Sequence, residues 1–310
     1  MKARVLKSTG SWYNCQFENG NLISARIKGK LRLQGVKTTN PVAVGDYVEI
    51  DNDEDSDSAV ISKIYKRNNH IIRKSPRNLH KYQILAANID QLFIMATLKS
   101  PRTSTGFIDR LLMVAEMNHI DSIIIFNKKD IYGAKEMNKF EHFKEVYESI
   151  GYDVHLISNL DGSSNLFLQE LMKGKTNMIS GHSGAGKSTL INKLVPELNI
   201  ATKEISNFSD KGLHTTTFAE MHALPLGGHL IDTPGIKELE AVSIEPDEIS
   251  HYFPEMRDLL EHCKFNNCRH QNEPKCAVIK AFENGEIAEF RYANYMKILD
   301  DLLDIDYWER

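Results

Sequence analysis

Short runs in which apolar and polar residues alternate fill the N-terminal part of the chain. Five such runs lie between residues 5 and 65, and clusters of Gly, Asn and Asp separate them. They read VLKSTGSWYNCQF, LISARI, KLRLQG, YVEID and AVISKIY. Because a period of two is typical of strands that bury one face, the pattern predicts a small β-barrel domain over residues 1–68.

A different pattern follows the basic segment at 67–83, which reads as a connector between domains. Near-continuous apolar runs at 91–98 and 122–127 are typical of parallel strands buried on both faces. Between them, apolar residues recur every three to four positions over 107–118, which predicts a helix. The alternation continues to HLID at 229–232, so we predict a doubly wound α/β domain over residues 69–242.

After residue 243 this alternation stops, and a Cys/His cluster precedes a long helical tail. The cluster supplies three thiolates and one imidazole, which can fill a tetrahedral structural zinc site. Its residues are Cys263, Cys268, His270 and Cys276. His262 is an alternative to His270, and reduced cysteines without a metal are the alternative to the site itself. We predict a mainly helical zinc-binding domain over residues 243–310.

Positive charge is concentrated in the N-terminal part of the chain. The net charge is −4, yet residues 1–85 contain 15 Lys and Arg against 8 Asp and Glu. Such asymmetry indicates contact with nucleic acid, although a merely basic surface is the simpler alternative. No stretch approaches the roughly 18 apolar residues of a membrane helix, and the N-terminus lacks the apolar core of a secretory signal. We therefore expect a cytoplasmic protein without membrane contact.

The segment GHSGAGKST at 181–189 lies between an apolar strand and a predicted helix, which matches the P-loop pattern. Its glycines let backbone N–H groups surround a β-phosphate, and the N-terminus of the helix attracts the same charge. Lys187 is expected to reach the β- and γ-phosphates and to assist catalysis, and Ser188 to bind Mg²⁺. The predicted phosphate-binding residues are Gly181, His182, Ser183, Gly184, Ala185, Gly186, Lys187, Ser188 and Thr189.

Further residues complete the predicted phosphate and magnesium site. Asp232 ends an apolar strand and is expected to hold Mg²⁺, whereas Gly235 is expected to sense the γ-phosphate. Between the P-loop and Asp232 lies a polar segment without strand or helix periodicity. Thr215 or Thr216 in this segment would close over Mg²⁺ in the GTP state and take part in catalysis.

The residue that orients the attacking water is not obvious from the sequence. Ile236 occupies the position after Gly235, where Ras-like proteins carry a glutamine for this task. Intrinsic hydrolysis is therefore expected to be slow. His214, beside the two threonines, is our candidate for a catalytic role, and a surface-loop histidine is the alternative interpretation.

The tetrapeptide NKKD at 127–130 predicts that the base is guanine. The carboxylate of Asp130 can accept hydrogen bonds from the N1 and N2 donors of guanine, which adenine does not offer. Asn127 and Lys128 belong to the same motif. Ser158 and Asn159 end the next strand and resemble the short motif whose backbone contacts guanine O6.

These motifs occur in an unusual order along the chain. The guanine motif and its partner at 158–159 precede the P-loop, the threonines and Asp232. Ras-like GTPases have the P-loop first and the guanine motif last, so the order indicates a circularly permuted P-loop GTPase domain. Permutation costs little when chain ends lie close together, and it leaves the ligand-binding edge of the sheet unchanged.

The motif order, the barrel-like N-terminus and the run CKFNNCRHQNEPKCAV at 263–278 together resemble the ribosome small-subunit-dependent GTPase A family, also called RsgA or YjeQ. The resemblance implies an N-terminal OB-fold that contacts 16S ribosomal RNA, a central permuted GTPase domain and a C-terminal zinc domain. It also implies late maturation of the 30S subunit and GTP hydrolysis stimulated by that subunit. These are expectations drawn from similarity.

Four aromatic residues of the barrel, Trp12, Tyr13, Phe17 and Tyr47, could stack on RNA bases or instead pack in the barrel core. We expect a monomer that binds the 30S subunit with GTP and leaves it with GDP. The alternative is a nucleotide-regulated RNA- or protein-binding factor that does not act on the ribosome. A metabolic kinase is disfavoured by the guanine motif at 127–130.

Overall fold

The structure is a computed structural model that describes residues 1–29, 31, 38, 40–52, 59–75, 78–198, 219–232 and 244–308. Its strands are β1 (Lys2–Ser8), β2 (Tyr13–Phe17), β3 (Leu22–Ile27), β4 (Tyr47–Asn52), β5 (Ala59–Ile64), β6 (His70–Ser75), β7 (Asn78–Ala87), β8 (Gln91–Ala96), β9 (Asp121–Phe126), β10 (Asp153–Leu156), β11 (Thr176–Gly181), β12 (Glu220–Ala223) and β13 (His229–Asp232). Its helices are α1 (Thr105–Met117), α2 (Ala134–Ser149), α3 (Gly162–Met172), α4 (Lys187–Leu194), α5 (Pro254–Arg257), α6 (Ala277–Glu283) and α7 (Glu289–Trp308).

The N-terminal domain is a five-stranded barrel, as the alternating pattern predicted. Its strands lie in the order β1-β2-β3-β5-β4, and pairing of β4 with β1 closes the barrel. Alternate side chains such as Val5, Cys15, Val48 and Ile61 fill the interior. The first predicted run forms two strands rather than one, because the chain turns at Gly10 with φ +85°. The predicted run at 30–35 lies, apart from Leu31, outside the described residues.

The basic segment after the barrel is not an open connector. Within it, β6 and β7 form an antiparallel two-stranded sheet with His70 opposite Ala87. Backbone groups of Ala87 and Val44 join this hairpin to the barrel, and the N–H of Ala87 donates to Val44 O at 2.9 Å. Gly45 permits the contact, because an added Cβ would lie 3.1 Å from the carbonyl carbon of Ala87.

The central domain contains the predicted doubly wound parallel sheet. The strands β10, β9, β8, β11 and β13 pair in parallel in that order, and every side chain of β8 and β11 is buried. Helices α1 and α2 supply apolar residues to one face of the sheet, and α3 and α4 supply them to the other. The carboxyl ends of the parallel strands therefore share one edge, where ligands bind in such folds.

One strand departs from the parallel pattern and connects two domains. β12 pairs antiparallel with β13, and Lys7 of β1 lies opposite Glu220 of β12. The two side chains also form an ion pair at 2.8 Å. The barrel and the central sheet thus belong to one continuous sheet across the described residues.

The C-terminal domain consists of short helices around a small core, to which the long helix α7 contributes. Val278, Tyr295 and Leu299 lie in this core, and α1 of the central domain contributes Met113 to it. α1 and α7 therefore form the contact between the central and C-terminal domains. Among the described residues, no helix has the length and apolar composition required to cross a membrane.

Candidate functional site

The phosphate loop connects β11 to α4 at the ligand-binding edge of the sheet. Two of its glycines occupy conformations that other residues rarely adopt, with φ +81° at Gly184 and +99° at Gly186. A Cβ on Gly186 would also collide with the side-chain amides of Asn127 and Asn159, the latter at 2.9 Å. This close approach makes glycine necessary at position 186.

Lys187 begins α4 and directs its ammonium back over the loop. Its Nζ donates to the carbonyl oxygens of Gly181 and His182, the second at 2.8 Å. Ser188 and Thr189 follow in the first turn of the helix, and both are partly exposed. The loop therefore gathers a cation, a helix N-terminus and hydroxyl groups at one place, as a triphosphate site requires.

Asn127 joins the predicted guanine motif to the phosphate loop. Its buried side-chain Nδ2 donates to Ala185 O at 2.8 Å, and its Oδ1 accepts from the Asn159 N–H at 3.1 Å. Asn159 adds a second link, because its Nδ2 donates to Gly186 O at 2.8 Å. Three segments that are distant in sequence are thereby held together by two asparagines.

Asp130 is exposed beside this junction, where its carboxylate accepts from the Ser158 hydroxyl. Lys128 precedes it in a left-handed conformation with φ +70°, and its Nζ donates to Ser100 O. The turn is fixed from beneath by Tyr132, whose hydroxyl accepts from Leu98 N–H at 2.8 Å and donates to the Asn127 carbonyl. Burial raises the pKa of Tyr132 to about 12, so this donor stays protonated.

Asp232 ends β13 next to the phosphate-loop strand, with Ile179 of β11 as its parallel partner. Burial raises the pKa of Asp232, although the nearby charges of His222 and Lys187 act in the opposite direction. A half-buried carboxylate beside the P-loop lysine is suitably placed to hold Mg²⁺. His214, Thr215, Thr216 and Gly235, predicted to complete this site, lie outside the described residues.

The loop between β8 and α1 also lies against the phosphate loop, which the sequence analysis did not anticipate. Pro101 packs beside Gly184, where an added Cβ would be 3.2 Å from Pro101 Cδ. Phe107 in the first turn of α1 stacks on His182 with ring centroids 3.8 Å apart. No motif marks these residues, and only their spatial proximity identifies them.

The four predicted metal ligands form one group. One ligand atom from each of Cys263, Cys268, His270 and Cys276 lies within 4.8 Å of the others. His270 Nδ1 is 3.2 Å from Cys276 Sγ and 3.7 Å from Cys263 Sγ. Sulfur and nitrogen bound tetrahedrally to zinc lie about 3.5 Å apart, so the group fits one ion. His262 is exposed and outside the group.

Helix α7 supports the loop that carries these ligands. The hydroxyls of Tyr292 and Tyr295 donate to the carbonyl oxygens of His270 and Arg269, at 2.6 and 2.8 Å. His270 has a left-handed conformation with φ +55°, and its Nε2 is buried without a partner in the described structure. The conformation of this loop therefore depends on side-chain contacts rather than on regular backbone hydrogen bonding.

The four barrel aromatics have two different environments. Tyr13 is buried, and Phe17 packs against the barrel core. Trp12 is 38% exposed and lies beneath the Arg26 guanidinium, 4.1 Å from its ring, whereas Tyr47 is approached by the cations of β1. Trp12 and Tyr47 therefore each lie against a cationic side chain.

Sequence models of one family match almost the whole of the first two domains. The model described as RsgA N-terminal domain matches residues 2–61, and the one described as RsgA GTPase matches residues 64–242. The chain is 47% identical over 302 residues to the small ribosomal subunit biogenesis GTPase RsgA of Flavobacterium psychrophilum, covering 97% of this chain and 93% of that protein. The protein of the same name from Bacteroides fragilis is 47% identical over 301 residues, covering 97% of each.

Solved structures resemble nearly the whole chain, and two of them are crystal structures of proteins named YjeQ and YloQ. YjeQ from Thermotoga maritima is 35% identical with a TM-score of 0.78, covering 97% of this chain and 98% of that one. YloQ, described as a circularly permuted GTPase, is 30% identical with a TM-score of 0.75, covering 98% and 95%. These similarities confirm the fold class predicted from the order of the motifs.

Proposed function

The chain belongs to the RsgA GTPase family, and from that premise we propose that it hydrolyses GTP, with Mg²⁺, during late maturation of the 30S ribosomal subunit. It would bind the subunit in the GTP state and leave after hydrolysis that the subunit itself stimulates. The names of its relatives, which describe GTPases of small-subunit biogenesis, support the ribosomal part of this proposal.

The observation that carries the GTPase part is the position of Asn127. Its side chain bridges the phosphate loop and the Ser158–Asn159 segment across 58 and 32 residues of sequence. Asp130, exposed three residues later, would then face a base attached to the bound phosphates. A carboxylate held there discriminates guanine from adenine, because adenine would leave it unmatched.

The proposed catalytic roles follow from this arrangement. The amides of the phosphate loop and Lys187 would neutralise the β- and γ-phosphates, while Ser188 and Asp232 would hold Mg²⁺. Magnesium, when bound, stabilises the charge that develops on the phosphates. In the segment outside the described residues, Thr215 or Thr216 would complete the metal site and His214 would orient water, with Gly235 sensing the γ-phosphate.

The two flanking domains would bind the ribosomal subunit. We propose that the N-terminal barrel, with its excess of Lys and Arg and with Trp12 and Tyr47 beside cations, contacts 16S ribosomal RNA by charge and stacking. We also propose that the cysteine–histidine group holds one structural zinc ion, because three thiolates and an imidazole within one small group suit this metal. The protein would act as a monomer in the cytoplasm.

The test measures GTP turnover by the pure protein with and without 30S subunits, using 50S subunits and Lys187→Ala as controls. We expect an increase of at least about a hundredfold with 30S alone, since activators of slow GTPases typically contribute that much or more. Lys187→Ala should abolish it. Turnover that is indifferent to 30S would refute the ribosomal role and favour a regulated RNA- or protein-binding factor.

A further inference from the structure

Helix α1 contacts the phosphate loop through an aromatic pair, in which His182 belongs to the P-loop motif and Phe107 to none of the predicted nucleotide motifs. Phe107 and His182 stack with centroids 3.8 Å apart and an angle of 26° between their rings. Stacked rings attract each other beyond the free energy of area burial, and a near-parallel pair restricts both side chains. The side chain of His182 is thereby restrained by a residue of another element.

The backbone of His182 shows why this restraint matters to the ligand. Its carbonyl oxygen accepts from Lys187 Nζ at 2.8 Å and from the Ala185 N–H at 3.2 Å. The same carbonyl thus orients the P-loop cation and closes the turn of the loop. A rotation of His182 would displace both groups, and both lie where phosphates would bind.

Helix α1 is itself anchored on the C-terminal helix. Asp109 accepts hydrogen bonds from Arg291 at 2.7 Å and from Asn294 at 2.5 Å, which both belong to α7, and a third from the Tyr147 hydroxyl of α2 at 2.8 Å. A Cβ on Gly106 would lie 3.2 Å from Asn294 Oδ1, so the two helices touch closely beside this pair. One face of α1 carries Gly106, Asp109 and Met113. Phe107 lies next to that face and contacts the phosphate loop.

We propose that Phe107 is a positioning residue for the phosphate loop. The packing of α1 against α7 would fix the position of Phe107. The residue touches neither phosphate nor base in this scheme; it acts through the carbonyl of His182. The proposal rests on the proposed function only in requiring that the chain binds guanine nucleotides.

The test compares affinities for GDP and GMP, measured by displacement of a fluorescent GDP from Phe107→Leu. Because the loop carbonyl orients groups at the β-phosphate, the variant should bind GDP about two- to tenfold more weakly. Affinity for GMP, which lacks that phosphate, should stay unchanged. Phe107→Tyr keeps the stacked ring and should restore GDP binding.

The matched control is Phe167→Leu, because Phe167 of α3 also contacts a histidine, His155, with centroids 4.8 Å apart. It should leave both affinities unchanged. Equal weakening of GDP and GMP by Phe107→Leu would indicate general distortion and overturn the proposal, as would unchanged GDP binding. Failure of the unaltered protein to bind GDP would instead refute the proposed function.

A double-mutant cycle tests the part played by α7. Asn294→Ala removes a hydrogen bond to Asp109 and should weaken GDP binding about twofold, which is no more than the loss expected from Phe107→Leu. In the Phe107→Leu background it should have no further effect, because the anchored helix would no longer touch the loop. Additive losses would remove α7 from the proposal.

Discussion

The predicted phosphate loop is a backbone turn that follows β11, and every side chain of this strand and of its neighbour β8 is buried. Around the cysteine–histidine group, the facing atoms belong to side chains on a largely exposed loop between short helices. The first site is therefore positioned by the buried parallel sheet. The second is formed by side chains of a small domain, whose apolar core a bound metal would supplement.

The largest expected effect follows from removing the metal with a chelator. Structural zinc contributes about 10–16 kcal/mol of binding free energy to small domains, so residues 263–283 should lose their fold. GDP should still bind within about tenfold of the original affinity, because the parallel sheet remains and only the support from Phe107 is at risk. Limited proteolysis and GDP titration of the same sample measure the two outcomes.

Two cysteine variants control this experiment. Cys276→Ser should reproduce the effect of the chelator, since it removes a ligand. Cys15→Ala, which alters a thiol buried in the barrel, should retain the metal and respond to the chelator as the unaltered protein does. Loss of GDP binding together with the C-terminal fold would contradict the independence of the two sites.

A second change tests the junction between the regions. Arg291 is buried, with Asp109 at 2.7 Å and Glu255 at 2.6 Å. Burial alone would lower the pKa of Arg291, but the two carboxylates outweigh it and raise the pKa. Arg291→Met should lower the free energy of unfolding by about 3–5 kcal/mol, because it leaves both carboxylates buried without their cation. Urea unfolding monitored by circular dichroism measures this loss.

The exposed pair of Arg110 and Asp301, on the same two helices, provides the matched control. Arg110→Met should cost about 0–1 kcal/mol, since exposed ion pairs contribute little. Similar losses from the two variants would mean that burial of the charges does not set the strength of this junction.

The motifs of the nucleotide site could be predicted from the sequence because each consists of a few consecutive residues with recognisable side chains. The contacts that position them were not, since Pro101 and Phe107 reach the loop only through the packing of α1. Helix α2 was not assigned because its buried residues, Phe140 and Tyr147, give a weak periodic signal. The antiparallel pairing of β12 with β1 likewise depends on tertiary structure, which overrides local pattern.

A third prediction concerns the two asparagines that hold the nucleotide site together. Asn127→Ala would leave Ala185 O and the Asn159 N–H without partners, at a cost of about 2 kcal/mol. If this loss falls on the bound state, GDP affinity should drop roughly thirtyfold. Asn159→Ala removes only the bond to Gly186 and should have a smaller effect. Isothermal titration calorimetry measures the GDP affinity of both variants. A larger loss of affinity from Asn159→Ala would contradict the central role of Asn127.

The smallest expected effect is a pH dependence of the junction between the barrel and the central sheet. Burial, assisted by the charge of Arg4, lowers the pKa of His229 in the folded protein. Below about pH 6.5 the unfolded chain then binds more protons, so stability present at neutral pH is lost on acidification. His229→Gln should show a shallower decrease in melting temperature between about pH 7.5 and 5.5, whereas GDP affinity, set by the buried strands and backbone of the phosphate loop, should not distinguish the two proteins.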